Sequence, residues 1–119
     1  MRHRIKKVKF GGRDMDHNKA LMRNLFTSLV LHDQIKTTEK KAKLLASLAN
    51  SVISRARDKD LMNAIRYVDQ YVFTKEANKR FFSDVLPRLK DQSTGYVRIV
   101  RLGNRMGDNA KLVHVEFVS

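Results

Sequence analysis

The stretch from Thr94 to Asn109, TGYVRIVRLGNRMGDN, constrains the fold most, because it predicts a strand that leads into a glycine-containing basic loop. Between Tyr96 and Leu102, apolar and β-branched residues alternate imperfectly with Arg98 and Arg101, which is typical of a half-buried strand with one cationic face. The alternation resumes in KLVHVEFV, which begins at Lys111. The two strands and the loop between them therefore predict a β-hairpin.

The loop of this hairpin suits contact with phosphate. Gly103 and Gly107 bracket Arg105, and glycine lets backbone N–H groups approach an anion closely. Asp108 is expected to organise the turn through a side-chain oxygen, and Glu116 to lie on the solvent face of the last strand. The alternative is an ordinary solvated hairpin whose arginines keep an edge strand soluble, and this stretch alone does not decide between the two.

The charge of the chain favours a polyanionic partner. The net charge is +13, from 25 Lys and Arg against 12 Asp and Glu, whereas a magnitude of roughly 2 to 8 suffices for the solubility of a small domain. Nucleic acid is the expected partner. Residues 1–16 carry a cation at every second or third position around a Gly-Gly break, so we predict a basic arm that becomes ordered along phosphates rather than a frayed, solvated terminus. The predicted contacts in this arm are Arg2, His3, Arg4, Lys6, Lys7, Lys9 and Arg13.

Length and composition restrict the class of protein. The 119 residues are expected to form one domain at 17–119 behind the arm at 1–16. The absence of cysteine excludes disulfides and thiolate metal sites, and it fits a reducing, cytoplasmic setting. No apolar run approaches the roughly 18 residues of a membrane span. The basic amino terminus is followed by Gly11 and Gly12 rather than an apolar stretch, so we expect a soluble protein without a secretory signal.

Helical periodicity predicts four helices and one further strand. Asp16 is the expected N-cap of a first helix that runs to about Leu31. Its predicted core face combines two apolar stripes, Leu21-Leu25-Leu29 and Met22-Phe26-Val30. Residues 33–38 are suitable as an edge strand. A second helix is predicted from Thr38 to about Arg57, with an apolar face at Ala42, Leu45, Leu48, Ala49, Val52, Ile53 and Ala56. A shorter third helix carries Leu61, Ile65, Val68 and Val72 in register, and a fourth begins at Thr74 and ends at Pro87.

These elements predict an α+β domain of two layers. The order is α-β-α-α-α-β-β, with the helices packed on a small three-stranded sheet. The order of the strands within the sheet is not readable from the sequence.

No constellation of residues predicts catalysis. The chain has no nucleophile with a base, no paired carboxylates and no GxxxxGK[ST] loop, and its four histidines lack ligand spacing. We therefore predict no enzyme activity, no metal, no cofactor and no small-molecule substrate. His17 lies among cations and is expected to touch phosphate or a base, whereas His32 and His114 are expected to be structural. Tyr96 can either stack on a base or pack in the core, and both roles stay open.

Several motifs, taken in their order and spacing, resemble the bacterial large-subunit ribosomal protein seventeen family nearly end to end. The most specific is Arg105-Met106-Gly107-Asp108-Asn109-Ala110. The others are Met1-Arg2-His3-Arg4, His17, Arg23-Asn24-Leu25, His32, Ile35-Lys36-Thr37-Thr38, Lys41-Ala42-Lys43, Gly95-Tyr96-Val97-Arg98-Ile99 and Glu116-Phe117. The middle of the chain, from Asp58 to Lys79, carries little of the likeness.

The resemblance implies a non-enzymatic part of the large ribosomal subunit that supports translation. Such a protein would bind large-subunit ribosomal RNA near the polypeptide exit tunnel, beside neighbouring ribosomal proteins. A DNA-binding or nucleoid protein shares the charge argument, but no helix-turn-helix is evident. Besides the arm, the expected RNA contacts are His17, Lys19, Arg23, Lys36, Thr37, Thr38, Lys41, Tyr96, Arg98, Arg101, Arg105 and Asn109.

Overall fold

The computed structural model describes residues 15–118, and it confirms the predicted α+β class and element order. The predicted arm lies outside these residues, as do its contacts at Arg2, His3, Arg4, Lys6, Lys7, Lys9 and Arg13. The elements are α1 (Met15–His32), β1 (Gln34–Thr38), α2 (Glu39–Asp58), α3 (Leu61–Asp69), α4, β2 (Val97–Asn104) and β3 (Lys111–Phe117). Helix α4 begins at Lys75–Arg80, passes through a π-helical turn at Phe81–Val85 and ends with Leu86–Arg88.

Helix α2 supplies much of the core. Its apolar residues recur at helical spacing, so one face is buried against the sheet and α1 while the other is solvated. Thr38 precedes the helix in an extended conformation, Glu39 lies in the first turn, and Arg55 and Arg57 lie in the last turn, where their charges suit the helix dipole. The buried residues are Ala42, Leu45, Ala49, Val52, Ile53 and Ala56, which confirms the predicted apolar face.

The sheet is antiparallel, with strand order β1-β3-β2. Strand β3 lies in the centre and alternates between buried Val113, Val115 and Phe117 and partly exposed residues of the other face. β2 and β3 form the predicted hairpin, and β1 is the predicted edge strand. The register shifts between Arg101 and Gly103, which leaves Leu102 as the extra residue of a β-bulge.

Helix α4 was predicted to end at Pro87, but it continues to Arg88. A proline inside a regular α-helix lacks an N–H and its ring collides with the carbonyl four residues earlier. The preceding turn is π-helical, and the Leu86 N–H donates to the Phe81 carbonyl five residues before it. This wider turn accommodates Pro87 within the helix. At the other end, the Ala77 N–H donates to the Thr74 hydroxyl oxygen at 3.1 Å, which confirms Thr74 as the cap.

Asp33 joins the end of α1 to α4. It follows His32 with φ +67°, and its N–H donates to the Leu29 carbonyl at 2.8 Å. Its carboxylate accepts from Arg88 at 2.6 Å and from Arg80 at 3.1 Å. Arg80 also donates from Nε to the Val30 carbonyl at 2.8 Å. Asp33, whose backbone adopts the left-handed conformation, therefore fixes the positions of Arg80 and Arg88.

Two predicted apolar faces are only partly buried. In α3, Leu61 and Ile65 are 67% and 41% exposed, although they share the predicted helical register with buried Val68. The residues that do face the core here are Ala64, Val68 and Val72. In α1, Phe26, Leu29 and Val30 are buried, but Leu21, Met22 and Leu25 are only half-buried. Asp16 lies within the first turn of α1 rather than before it.

Among the described helices, none has the length and apolar character needed to cross a membrane. Residues 15–118 also contain no group of three or more histidine or acidic side chains arranged to hold a metal ion.

Candidate nucleic-acid interface

One face of the sheet is open to solvent and carries cations from its two outer strands, β1 and β2. Residues directly opposite one another in a sheet share a face. Lys36 of β1 therefore lies on the same side as His114 of β3, and Arg98 of β2 lies on that side with Glu116. We call this surface the open face; its residues are Gln34, Lys36, Thr38, Arg98, Val100, Leu112, His114 and Glu116. Thr37 pairs with buried Val113 and so belongs to the helix side.

The tip of the hairpin is an ordered turn whose residues are exposed. The Arg105 N–H donates to the Ala110 carbonyl at 2.6 Å, and the Asn109 N–H donates to the Arg105 carbonyl at 2.9 Å. Gly107 and Asn109 have φ values of +102° and +59°, a region that glycine and asparagine adopt with least strain. The tip therefore presents Arg105 in a fixed direction, with its side chain 49% exposed.

Asp108 organises this turn, as predicted. Its carboxylate accepts from Arg105 Nε at 3.0 Å and from the Ala110 N–H at 3.2 Å, and Arg105 Nη2 contacts its second oxygen. The hydrogen bond from Arg105, followed by that from the Ala110 N–H, lowers the pKa of Asp108 to about 2. The turn therefore retains this interaction well below the pH at which an ordinary aspartate becomes protonated.

We expect the carboxyl resonance of Asp108 to titrate near pH 2 in an NMR experiment. Because the pKa is depressed in the folded state, the stabilisation is complete above a pH of about 4 and is lost as the pH falls through the folded pKa. In Arg105→Gln the midpoint is expected to rise toward the ordinary aspartate value of 3.8 but to stay below it, because the Ala110 N–H still donates to the carboxylate. Equal midpoints in the two proteins would show that Arg105 does not hold the turn.

The sequence predicted a single cationic face on β2, but Arg98 and Arg101 lie on opposite faces of the strand. They are three positions apart in a strand, which places them on opposite sides. Arg98 lies on the open face and donates to Glu116 at 2.8 Å, whereas Arg101 turns to the helix side and lies 3.7 Å from Glu39. Glu116 occupies the solvent face, as predicted.

Glu39 lies where the start of α2 meets the hairpin. It accepts from Lys43 at 3.3 Å. The hydrogen bond from Lys43 lowers the pKa of Glu39, and the positive charges of Lys43, Lys111 and Arg101 add to this effect. Beside it is a shallow cleft of about 120 Å³ that Arg101, Asn104 and Lys111 help to line. The fold thus brings Lys43 of α2 and Arg101 and Lys111 of the hairpin together around Glu39.

The predicted contacts fall into separate groups in the fold. Lys36, Thr38 and Arg98 lie on the open face, whereas Arg101 lies beside Glu39 on the helix side. Arg105 lies at the hairpin tip, and Lys41 lies in the first turns of α2, half-buried. His17 and Lys19 are exposed, but they lie at the opposite end of α1 from β1, roughly 20 Å along the helix axis.

The side chains of Arg23 and Tyr96 make contacts within the protein rather than facing a ligand. Arg23 donates to the Val72 carbonyl at 2.9 Å, and its guanidinium lies 4.2 Å from the centre of the Phe73 ring. Tyr96 is 1% exposed, and its hydroxyl donates to the Ser93 carbonyl at 2.9 Å. Of the two roles left open for Tyr96, packing in the core is the one observed, because a buried ring presents no face to a base.

Three further residues lie beside the predicted contacts but were not among them. Lys43 and Lys111 approach Glu39, and His114 lies beside Lys36 on the open face. Lys43 belongs to the same Lys-Ala-Lys motif as Lys41, and Lys111 follows the hairpin loop directly, so position in the motifs was the available signal. His114 had no such signal, since its neighbour Lys36 is distant in the chain.

Comparison with known proteins shows similarity across nearly the whole described chain. The family model described as Ribosomal protein L17 matches residues 21–118. The large ribosomal subunit protein bL17 of Desulforudis audaxviator is 44% identical over 103 residues, covering 87% of this chain and 91% of the relative. The protein of the same name from Trichlorobacter lovleyi is 41% identical over 107 residues, covering 90% of this chain and 86% of the relative.

A third relative is longer than this chain. The large ribosomal subunit protein bL17 of Amoebophilus asiaticus is 43% identical over 118 residues, which are 99% of this chain but only 60% of that protein. These identities and the family match together show that the chain belongs to the ribosomal protein L17 family.

Proposed function

We propose that the chain is a structural constituent of the bacterial large ribosomal subunit that binds large-subunit ribosomal RNA near the polypeptide exit tunnel and so supports translation. It acts in the cytoplasm as part of the ribosome, beside neighbouring ribosomal proteins, and without a cofactor. Membership of the ribosomal protein L17 family is the observation that carries this proposal. The relatives named above are all large ribosomal subunit proteins.

The geometry supports RNA as the ligand of the open face and the hairpin tip. Lys36, Arg98 and Arg105 project from a rigid sheet and an ordered turn, so little side-chain support has to form on binding. Neutralising phosphates with such cations releases counterions from the RNA, which supplies affinity without reading base sequence. The basic arm at residues 1–16 provides a second set of cations for the same polyanion.

Carboxylates beside the cations limit how strongly this region attracts phosphate. Arg98 is paired with Glu116, and Arg105 with Asp108, yet a guanidinium has five N–H donors and each carboxylate occupies only part of them. The side chains of both arginines are about half exposed, at 55% and 49%. Each arginine can therefore hold its carboxylate and donate to a phosphate at the same time, which fixes its direction toward RNA.

Sucrose-gradient fractionation of the tagged chain from its own cells tests this proposal. Low magnesium separates the subunits, and a high-salt wash then removes loosely bound proteins. We expect stoichiometric, salt-resistant migration with the large subunit. Migration with nucleoid DNA, or in the light fractions, would contradict the proposal and favour a DNA-binding protein instead.

A further inference from the structure

The tip of the β2–β3 hairpin carries an apolar side chain that the described part of the protein does not cover. Met106 is 96% exposed, the highest value among the large apolar residues of the described chain. The pairing of β3 with β1 stops at Leu112, so the pair formed by Asn104 and Lys111, and the turn that follows it, project past β1. Met106 therefore lies at the end of a projection, where a large ligand can reach it from several sides.

The turn holds Met106 in a fixed position. Besides the backbone hydrogen bond that joins Arg105 to Ala110 at 2.6 Å, the Asp108 carboxylate accepts from the Arg105 Nε at 3.0 Å and from the Ala110 N–H at 3.2 Å. Gly107, directly after Met106, supplies the φ of +102° that the turn needs. A scattered apolar residue on a surface is ordinary, but one presented by an ordered turn can meet a ligand with little loss of loop entropy.

The surroundings of Met106 are positively charged. Residues 96–118 contain four cations and two carboxylates, namely Arg98, Arg101, Arg105 and Lys111 against Asp108 and Glu116. Both carboxylates, and Glu39 beside the hairpin, already have an arginine partner. The ligand that fits the tip is therefore anionic and also offers an apolar surface. Every nucleotide of RNA joins a phosphate to the apolar face of a base, and the adjacent Arg105 and Met106 match these two groups.

We propose that Met106 packs against an unpaired nucleobase of the ribosomal RNA, while the cations around it hold the adjoining phosphates. The inference rests on the proposed function, which supplies the RNA, and it adds a base contact at a defined residue. The thioether of methionine is polarizable and makes favourable contacts with aromatic rings. Within an RNA helix the base faces are stacked on one another, so a loop, a bulge or a helix end is where such a face is accessible.

The charges disfavour a second copy of the chain as the occupant. A two-fold interface uses the same surface of both subunits, so pairing two hairpin tips would bring their cations together. Such like charges repel one another, whereas the phosphates of RNA neutralise them.

Substitutions at position 106 test the base contact through the salt dependence of RNA binding. Met106→Gln keeps the length of the side chain but makes it polar, so its affinity for the large-subunit ribosomal RNA transcript should fall about five- to tenfold at every salt concentration. Because no phosphate contact is lost, the slope of log K against log salt should not change. Met106→Leu stays apolar and should keep most of the affinity.

The matched control is Met62→Gln, which changes another exposed methionine, on α3, where the side chain is 64% exposed. It should bind the transcript as the unmodified protein does. Thermal unfolding of all the variants should give equal Tm values, because neither methionine is buried.

A short-range crosslinker identifies the occupant directly. With a diazirine amino acid in place of Met106, irradiation of purified large subunits should yield an adduct with ribosomal RNA. Primer extension should place this adduct at a nucleotide that is unpaired in the folded RNA.

Each contrary result overturns the inference. Equal affinity of Met106→Gln and the unmodified protein would show that Met106 stays in solvent, and a reduced salt slope would show that phosphate contacts had been lost instead. An adduct with a protein, with a second copy or with a nucleotide inside a duplex would identify another occupant. These results leave the proposed function intact, whereas a chain that never enters the large subunit contradicts that function and this inference with it.

Discussion

Replacing Arg98, Arg101 and Arg105 together with glutamine is expected to lower the salt dependence of binding to large-subunit ribosomal RNA. Each lost phosphate contact reduces the slope of log K against log salt by roughly 0.7 to 0.9, so three contacts correspond to a reduction of about 2. The affinity difference should be largest at low salt and shrink toward about 200 mM. Filter binding with the RNA transcript across a salt series measures this slope.

The control for this experiment removes three charges from another part of the surface. Arg66, Lys75 and Lys79 are exposed on α3 and α4, and their replacement by glutamine leaves the hairpin intact. The control slope should stay close to that of the unmodified protein. Equal reductions in both variants would mean that net charge alone governs binding, and an unchanged slope in the hairpin variant would mean that its arginines face solvent.

Replacing Asp33 with alanine is expected to destabilise the protein by about 1 to 2 kcal/mol, which lowers Tm by roughly 5 to 10 °C. The carboxylate accepts charge-assisted hydrogen bonds from Arg80 and Arg88, but its side chain is 39% exposed, so solvent weakens both interactions. Alanine also suits φ +67° poorly. Denaturant unfolding followed by circular dichroism measures the loss.

Two further substitutions separate the backbone contribution of Asp33 from its charge. Asp33→Gly loses the carboxylate but tolerates the left-handed conformation, so it should be more stable than Asp33→Ala by about 1 kcal/mol. Asp33→Asn keeps a side chain that tolerates this conformation and loses only the charge. Asp91→Ala, at an exposed position, should cost less than about 0.5 kcal/mol. A loss of that small size in Asp33→Ala would show that the two arginines do not depend on Asp33.

The difference in stability between the unmodified protein and Asp33→Asn should depend on pH. Burial alone would raise the pKa of Asp33, but the hydrogen bonds and charges of Arg88 and Arg80 outweigh it and lower the pKa. The ionised form is thus preferred in the folded state. The stability advantage over Asp33→Asn should be complete above a pH of about 4 and fall as the pH drops below it.

Elements whose signals are local could be predicted from the sequence. Thr74 caps α4 because its hydroxyl accepts from an N–H three residues later, and this needs no information from elsewhere. The apolar period of α2 identified its buried face for the same reason. The family resemblance was confirmed by the match over residues 21–118, and family membership confirms that the chain is not an enzyme.

Features that depend on distant contacts could not be predicted. A helical period of apolar residues shows which side chains share a register, but not whether the protein has enough core to cover them, and so the exposure of Leu61 and Ile65 could not be predicted. Arg23 looked like a surface cation because its acceptor, the Val72 carbonyl, lies far along the chain. The bulge at Leu102 and the pairing of β1 with β3 likewise follow from tertiary contacts.

The central position of β3 determines when the sheet can form during synthesis of the chain. Among the described elements only α1 is synthesised before Gln34–Thr38, yet its partner in the sheet is Lys111–Phe117, which is synthesised after all of the others. Until those residues emerge, β1 has no strand to pair with and the apolar face of α2 lacks its cover of Val113, Val115 and Phe117. Local helices can form early, but closure of this long loop must wait. Neither outer strand can therefore pair until β3 is available. A nascent chain paused before residue 111 exposes apolar side chains of α2 that chaperones could bind.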